Sequence, residues 1–225
     1  RSTISQRRFL RYGQLHDKLH SMFLGIKPLS DIYPLAETMI KLPLPARFHT
    51  TDQYVYDEEQ VQDTIGVNPD VFDDIAAFNG NISAYLYDLL IVRKAQDYRS
   101  SEKDTARVGI LFGYPREAVL EFARHNSIRI RVGDFLTQHA PGLNVQEDSG
   151  RQYLIDHFPE LKPDELDYIV EVDGVKTHGF MYGARKTSDA YQVFPRKVDE
   201  LYESSGMNHL LSRTRLLIPP RLPNS

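Results

Sequence analysis

The chain has no cysteine among its 225 residues. That absence excludes disulfides, thiolate metal sites and cysteine nucleophiles, and leaves His, Asp, Glu, Lys, Ser and Tyr to carry any chemistry. It also has no run of about 18 apolar residues, the length a membrane-crossing helix needs. Its first residues, Arg1-Ser2-Thr3-Ile4-Ser5-Gln6-Arg7-Arg8, lack the apolar stretch of a signal peptide. These absences point to an intracellular, cytoplasmic protein with no membrane partner. Three signatures are missing as well: G-x-x-x-x-G-K-[ST], G-x-G-x-x-G and Gly-x-Ser-x-Gly. Without them there is no support for a phosphate loop, a dinucleotide fold or a serine-hydrolase elbow.

What is present suffices for a core. A hydrophobic content of 41% over 225 residues indicates a globular protein of one large domain or two small ones. The net charge of −4 conceals a segregation. Residues 1–27 carry Arg1, Arg7, Arg8, Arg11, Lys18 and Lys27 against Asp17 alone, whereas residues 51–80 carry eight acids and no Lys or Arg. Such asymmetry marks either a basic surface for phosphates beside an acidic one, or two parts of one chain that attract each other.

Residues 1–99 read as mainly helical. From Ser5 to Leu24, Phe9, Tyr12, Leu15, Leu19, Met22 and Phe23 recur at helical spacing, and Gly25 is placed to stop that helix. Prolines 28, 34, 43 and 45 interrupt the next stretch. The pattern then predicts a short helix over Asp57–Ile65 ended by Gly66, and a helix to about Phe78 capped by Asn68 with Pro69 in its first turn. A long helix is predicted over Ile82–Tyr98. Ser100 to Asp104 is polar enough to be a linker.

Residues 103–225 read as a mixed α/β region. Val108–Phe112 suits a buried strand, Gly113-Tyr114-Pro115 a turn and Arg116–His125 a helix with Ala118, Val119 and Phe122 inward. Further helices are expected at Arg151–Phe158 and Ser188–Glu203, the second capped by Ser188, with a closing strand at Arg213–Ile218. Between them, Asp173-Gly174 separates two β-prone runs within 165–186, a strong hairpin signal because a type I′ turn needs positive φ at both central residues. A two-residue loop there pairs Val172 with Val175 and Glu171 with Lys176, an opposite-charge cross-strand pair. The fold class is therefore α+β, a helical N-terminal half followed by a small mixed sheet with flanking helices.

The order helix, strand, strand, helix, strand over roughly residues 150–220 resembles the restriction-endonuclease-like core of the PD-(D/E)xK nuclease superfamily. In that family an Asp on one hairpin strand and an acid-x-Lys on the next hold a divalent metal at the scissile phosphate. Glu165-Leu166-Asp167 resembles the first element and Lys186 the lysine of the second; Ala184 stands where the family has its acid. The resemblance implies metal-dependent phosphodiester cleavage with Mg²⁺ or Mn²⁺ as cofactor. Asp167 would be a ligand, Glu165 a helper ligand, Lys186 would stand near the nucleophile, and Arg185, Arg196 and Lys197 would lie on nucleic-acid phosphates. A site short of one carboxylate binds a hard cation weakly. The alternatives are a non-catalytic module that binds nucleic acid or a protein partner, and an interaction protein that works through the acidic 51–80 segment.

Other constellations have plainer readings. His16 and His20 lie at i and i+4 as zinc ligands do, and equally suit the border of an apolar stripe. Asp70, Asp73 and Asp74 could share one helix face and a Mg²⁺, although first-turn acids stabilise a helix by roughly 0.3–1 kcal/mol each without any metal. Tyr182 and Tyr191 could stack bases, and His178 could be a general base; half-buried packing and strand polarity explain them as well.

Overall fold

A computed structural model describes residues 19–32, 44–51, 53–95, 101–145, 147–178 and 180–205. The fold is α+β, helices around two small antiparallel sheets. The first sheet lies in the half read as helical. Strands β1 (Leu29–Asp31), β2 (Phe48–Thr50) and β3 (Tyr54–Asp57) pair antiparallel with β3 in the middle. Every residue of β3 is buried, because alternate side chains enter two cores. Tyr54 and Tyr56 join Leu29 in the main core, while Val55 meets Met22, Ile32 and Phe48 on the other face.

Helix α1 (Glu58–Gly66) forms as its sequence predicts: Asp57 accepts the Gln60 amide at 3.3 Å, and Glu58 and Glu59 occupy the first turn. Residues after Asn68 form turns and a single 3₁₀ turn at Ile75–Phe78 rather than the expected continuous helix. The Asn68 side chain is used elsewhere, donating to the Thr64 carbonyl at 2.7 Å and accepting from Arg116 at 2.7 Å, so its oxygen caps no helix. Helix α2 (Ile82–Tyr87), capped by Asn81, continues through a π-turn at Asp88–Val92 into a helical turn, Arg93–Ala95.

Val108–Phe112 is not a strand. It belongs to helix α3 (Glu102–Leu111), started by Ser101, whose hydroxyl accepts the Asp104 amide at 3.2 Å. Ala106, Ile110 and Leu111 are buried at helical spacing. Gly113, at φ +78°, ends the segment beneath the Ile26 carbonyl, where any Cβ would collide. Helix α4 (Arg116–His139) runs well past the expected His125. It crosses α3 closely: a Cβ on Gly109 would lie 2.8 Å from Val119 Cγ1.

The predicted hairpin is shifted. Residues 165–171 are not a strand but part of helix α6 (Pro163–Glu171), which follows helix α5 (Asp148–His157). Strands β4 (Val172–Thr177) and β5 (Phe180–Arg185) pair Val172 with Arg185, Asp173 with Ala184, Gly174 with Gly183 and Thr177 with Phe180. Asp173-Gly174 thus lies within β4, and the chain reverses between Thr177 and Phe180. Pro163 at the helix start and a capping box from Lys162 to Glu165 favour helix over strand for 165–171. Ser188 caps a short helix α7 (Asp189–Gln192), and α8 (Phe194–Ser204) follows after Val193, so the expected single helix is two. The expected strand at Arg213–Ile218, the helix residues 5–18 with His16, and the end of the 82–98 helix lie outside the described residues.

One main core takes Leu29 and Tyr54 from the sheet, Leu86 and Leu89 from the α2 stretch, and Leu111 and Ala123 from the α3–α4 pair. Over it, the segment rich in acids meets cations of α3 and α4. Arg107, 5% exposed, donates to the Val71 carbonyl at 2.8 Å, to Asp104 at 2.6 Å and to Asp73 at 2.7 Å, and lies 3.1 Å from Asp74. Arg93 reaches Asp74, Asp88 and Asp104, Lys103 reaches Asp73, and Arg116 reaches Asp70. Much of the 51–80 acidity is therefore spent on attraction within the chain.

Candidate functional site

The structure separates the residues that the nuclease resemblance singles out. Glu165 and Asp167 are two positions apart on α6, on widely different faces of the helix. Glu165 accepts the Lys162 amide at 2.9 Å as the helix cap, and Asp167 pairs with Arg151 at 2.7 Å. Lys186, just beyond β5, lies 3.4 Å from Asp173. Arg185 pairs with Glu121 at 3.3 Å and its guanidinium lies over the Tyr168 ring at 6.0 Å. Arg196 donates to the Gln192 carbonyl at 2.8 Å, and both it and Lys197 are exposed on α8. Glu165 and Asp167 do not fit a shared metal ion. Among the described residues, no group of three or more His, Asp or Glu has the placement to hold one.

The secondary candidates settle into packing roles. His20 is buried with its ring 4.6 Å from Tyr202, and His178 stacks on the same tyrosine at 4.0 Å while pairing with Asp199 at 3.1 Å. Tyr182 donates to the Ala190 carbonyl at 2.6 Å; burial pushes its hydroxyl up to about 12. A phenol held this way packs α7 onto β5.

What the structure does assemble is an apolar groove of about 580 Å³ between the α3–α4 pair and the hairpin. Val108 and Gly109 of α3 and Val119 and Phe122 of α4 line one side, with Tyr114 from the connecting turn. Tyr168 of α6 adds to the lining, and Val172, Gly174, Met181 and Gly183 supply the hairpin side. Gly174 and Gly183 stand directly opposite each other, so the sheet presents bare backbone at that point. A Cβ added at Gly174 meets nothing within 4 Å, whereas one at Gly183 would lie 2.6 Å from Val172 Cγ1. Met181, 76% exposed, projects beside them. Its flexible thioether is the side chain most often used by adaptable binding surfaces. The size falls in the range of ordinary ligand sites, about 300–1,000 Å³.

Acids lie close to the hairpin wall. Asp173 lines it, Glu171 directly precedes the lining residue Val172, and Glu121 has Glu117 and Glu171 for neighbours. Burial raises the Glu121 carboxyl above its ordinary value, Arg185 pulls it back, and nearby Glu117 and Glu171 raise it further. Arg185 and Lys186 are each matched by an acid, Glu121 and Asp173 respectively. Sequence reasoning missed the groove residues Tyr168, Gly174, Met181 and Gly183. The readable signal was two glycines that become cross-strand partners once the register is known.

No protein-family model, curated protein or solved structure matches this chain. Among the described residues, no helix is long and apolar enough to cross a membrane.

Proposed function

We propose that this chain is a non-catalytic binding module that takes an apolar segment of a protein partner into the groove between the α3–α4 pair and the hairpin. The groove itself carries this reading: about 580 Å³ of space walled by aliphatic and aromatic side chains, whose burial by a partner yields roughly 25 cal/mol per Å². The bare backbone at Gly174 and the exposed Met181 allow a polypeptide to approach closely. A nucleic acid would need unmatched cations on the lips, and there Arg185 and Lys186 already face Glu121 and Asp173.

The test is selection of a displayed random-peptide library on the wild-type protein and on Gly174→Trp, which fills the groove where a side chain meets no obstacle. Enriched peptides should bind the wild type and lose that binding on Gly174→Trp. Peptides indifferent to the substitution, or no enrichment beside tight groove binding of a small apolar dye, would overturn the protein-partner reading.

A second reading, metal-dependent phosphodiester cleavage, draws on one observation. Asp173 is the cross-strand partner of Ala184 and lies 3.4 Å from Lys186, so an acid and a lysine are juxtaposed although position 184 has no carboxylate. Labelled single- and double-stranded DNA and RNA, with Mg²⁺ or Mn²⁺ and with chelator, test it. Metal-dependent cutting lost in Asp173→Ala and Lys186→Ala would establish it, and intact substrates would end it.

A further inference from the structure

Resting on the groove reading, we infer that the partner segment is amphipathic and cationic, an apolar face flanked by Lys or Arg that meets the acidic end of the groove. The groove is not uniformly polar around its mouth. Beside the start of β4, which lines the groove with Val172 and Asp173, carboxylates gather: Asp173 is in the wall, Glu171 directly precedes Val172, and Glu121 has both Glu117 and Glu171 for neighbours. Two of them are answered, Glu121 by Arg185 and Asp173 by Lys186. Glu117 and Glu171 are exposed and remain in excess at that end. At the other end the only neighbouring charge on β4 is Lys176, opposite Met181. An occupant that placed a carboxylate beside Glu117 and Glu171 would be repelled, and one that placed an ammonium or guanidinium there would be attracted. Glu121 sharpens the choice: burial first, and Glu117 and Glu171 after it, raise its carboxyl above the ordinary value, so a second cation nearby lowers the cost of keeping it ionised.

The geometry also sets the register of such a ligand. Its apolar residues lie over Gly174 and Gly183, between Phe122 and Met181, and its basic residue follows at the Glu171 end. Recognition by an apolar stripe in a groove with a charged lip fixes direction as well as identity, because a reversed segment would bring its cation to Lys176.

Three fluorescein-labelled peptides with one Leu-rich amphipathic core and a flank of Lys, Gln or Glu at one end only provide the test, read by anisotropy at low and high salt against wild type, Gly174→Trp and the pair Glu117→Gln/Glu171→Gln. The Lys-flanked peptide should bind tightest and the Glu-flanked weakest. The double substitution should narrow that spread by roughly 1.5- to 5-fold per charge removed at low salt, leaving the Gln-flanked peptide unchanged, and high salt should mimic it. Equal binding of the three peptides, all lost on Gly174→Trp, would overturn the cationic partner while keeping the groove. Binding indifferent to Gly174→Trp would overturn the groove reading as well.

Discussion

Arg107→Met is the most demanding test of how the acidic segment is held. The guanidinium is 5% exposed and has four partners: the Val71 carbonyl and the carboxylates of Asp73, Asp74 and Asp104. Removing one side of a buried ion pair costs about 3–5 kcal/mol, because the remaining charges stay desolvated. Here the lower end applies. Asp74 and Asp104 keep Arg93 at 2.7 and 2.8 Å, and Asp73 keeps Lys103 at 2.6 Å. The Val71 carbonyl loses its Arg107 donor, a loss of about 1 kcal/mol that is already part of that figure. A loss of roughly 3 kcal/mol results, which for a chain of this size lowers Tm by about 6–12 °C. Urea denaturation followed by far-UV circular dichroism should show the midpoint falling with the slope unchanged. Lys103→Met, on the exposed side of the same network, should change little. A loss under about 1 kcal/mol for Arg107→Met, or one no greater than that of Lys103→Met, would refute the idea that this arginine clamps the two parts together.

The same network has a pH signature. The Arg116 hydrogen bond holds Asp70, and the Lys103 hydrogen bond holds Asp73, below the ordinary carboxylate value. Groups lowered in the folded state contribute stability that is present above their unfolded value, about 4, and is lost as pH falls through the folded values. Asp70→Asn with Asp73→Asn should therefore flatten the acid limb of a stability–pH curve, and an unchanged limb would contradict the pairing. Gly113→Ala should cost about 1–3 kcal/mol for its positive φ, plus the collision with the Ile26 carbonyl. Gly142→Ala, with positive φ in open space, should cost less by thermal melting. Ser188→Ala should cost about 1 kcal/mol by loss of the α7 cap, measurable as faster amide exchange at Tyr191, whose amide the Ser188 hydroxyl accepts at 3.3 Å.

Helix ends were legible in part. Ser188 caps the helix it is expected to cap, and the first helix closes at Gly66 with Val67 as its cap, whereas Asn68 caps none, because Thr64 and Arg116 claim its side chain. The apolar run Val108–Phe112 was ambiguous in principle: short runs suit a buried strand or a buried helix face, and contacts on both sides of α3 decided it. At 165–186 the Asp173-Gly174 signal misled, while Pro163, Glu165 and the spacing of Leu166, Ile169 and Val170 carried a legible helix pattern. Strands of three or four residues among prolines, as in the first sheet, leave too short an alternation to stand out. Charge segregation set residues 1–27 against 51–80, but the cations that meet Asp70, Asp73 and Asp74 come from Arg93, Lys103, Arg107 and Arg116, and most of residues 1–27 lies outside the described residues. Beyond the two glycines, which pair only once the register is known, the groove had no sequence signature, since its walls come from three helices, a turn and two strands that meet only in the tertiary structure.

The clamp centred on Arg107 bears on what would happen if the backbone were cut just before α3. One piece would carry Asp73, Asp74 and the sheet side of the main core; the other would carry Arg107, Leu111 and Ala123. Each would expose half of one interior and charges left without their counterparts. Two such pieces, mixed, hold complementary surfaces that match each other better than any alternative, so a split chain should reassemble from its fragments rather than yield two independent units.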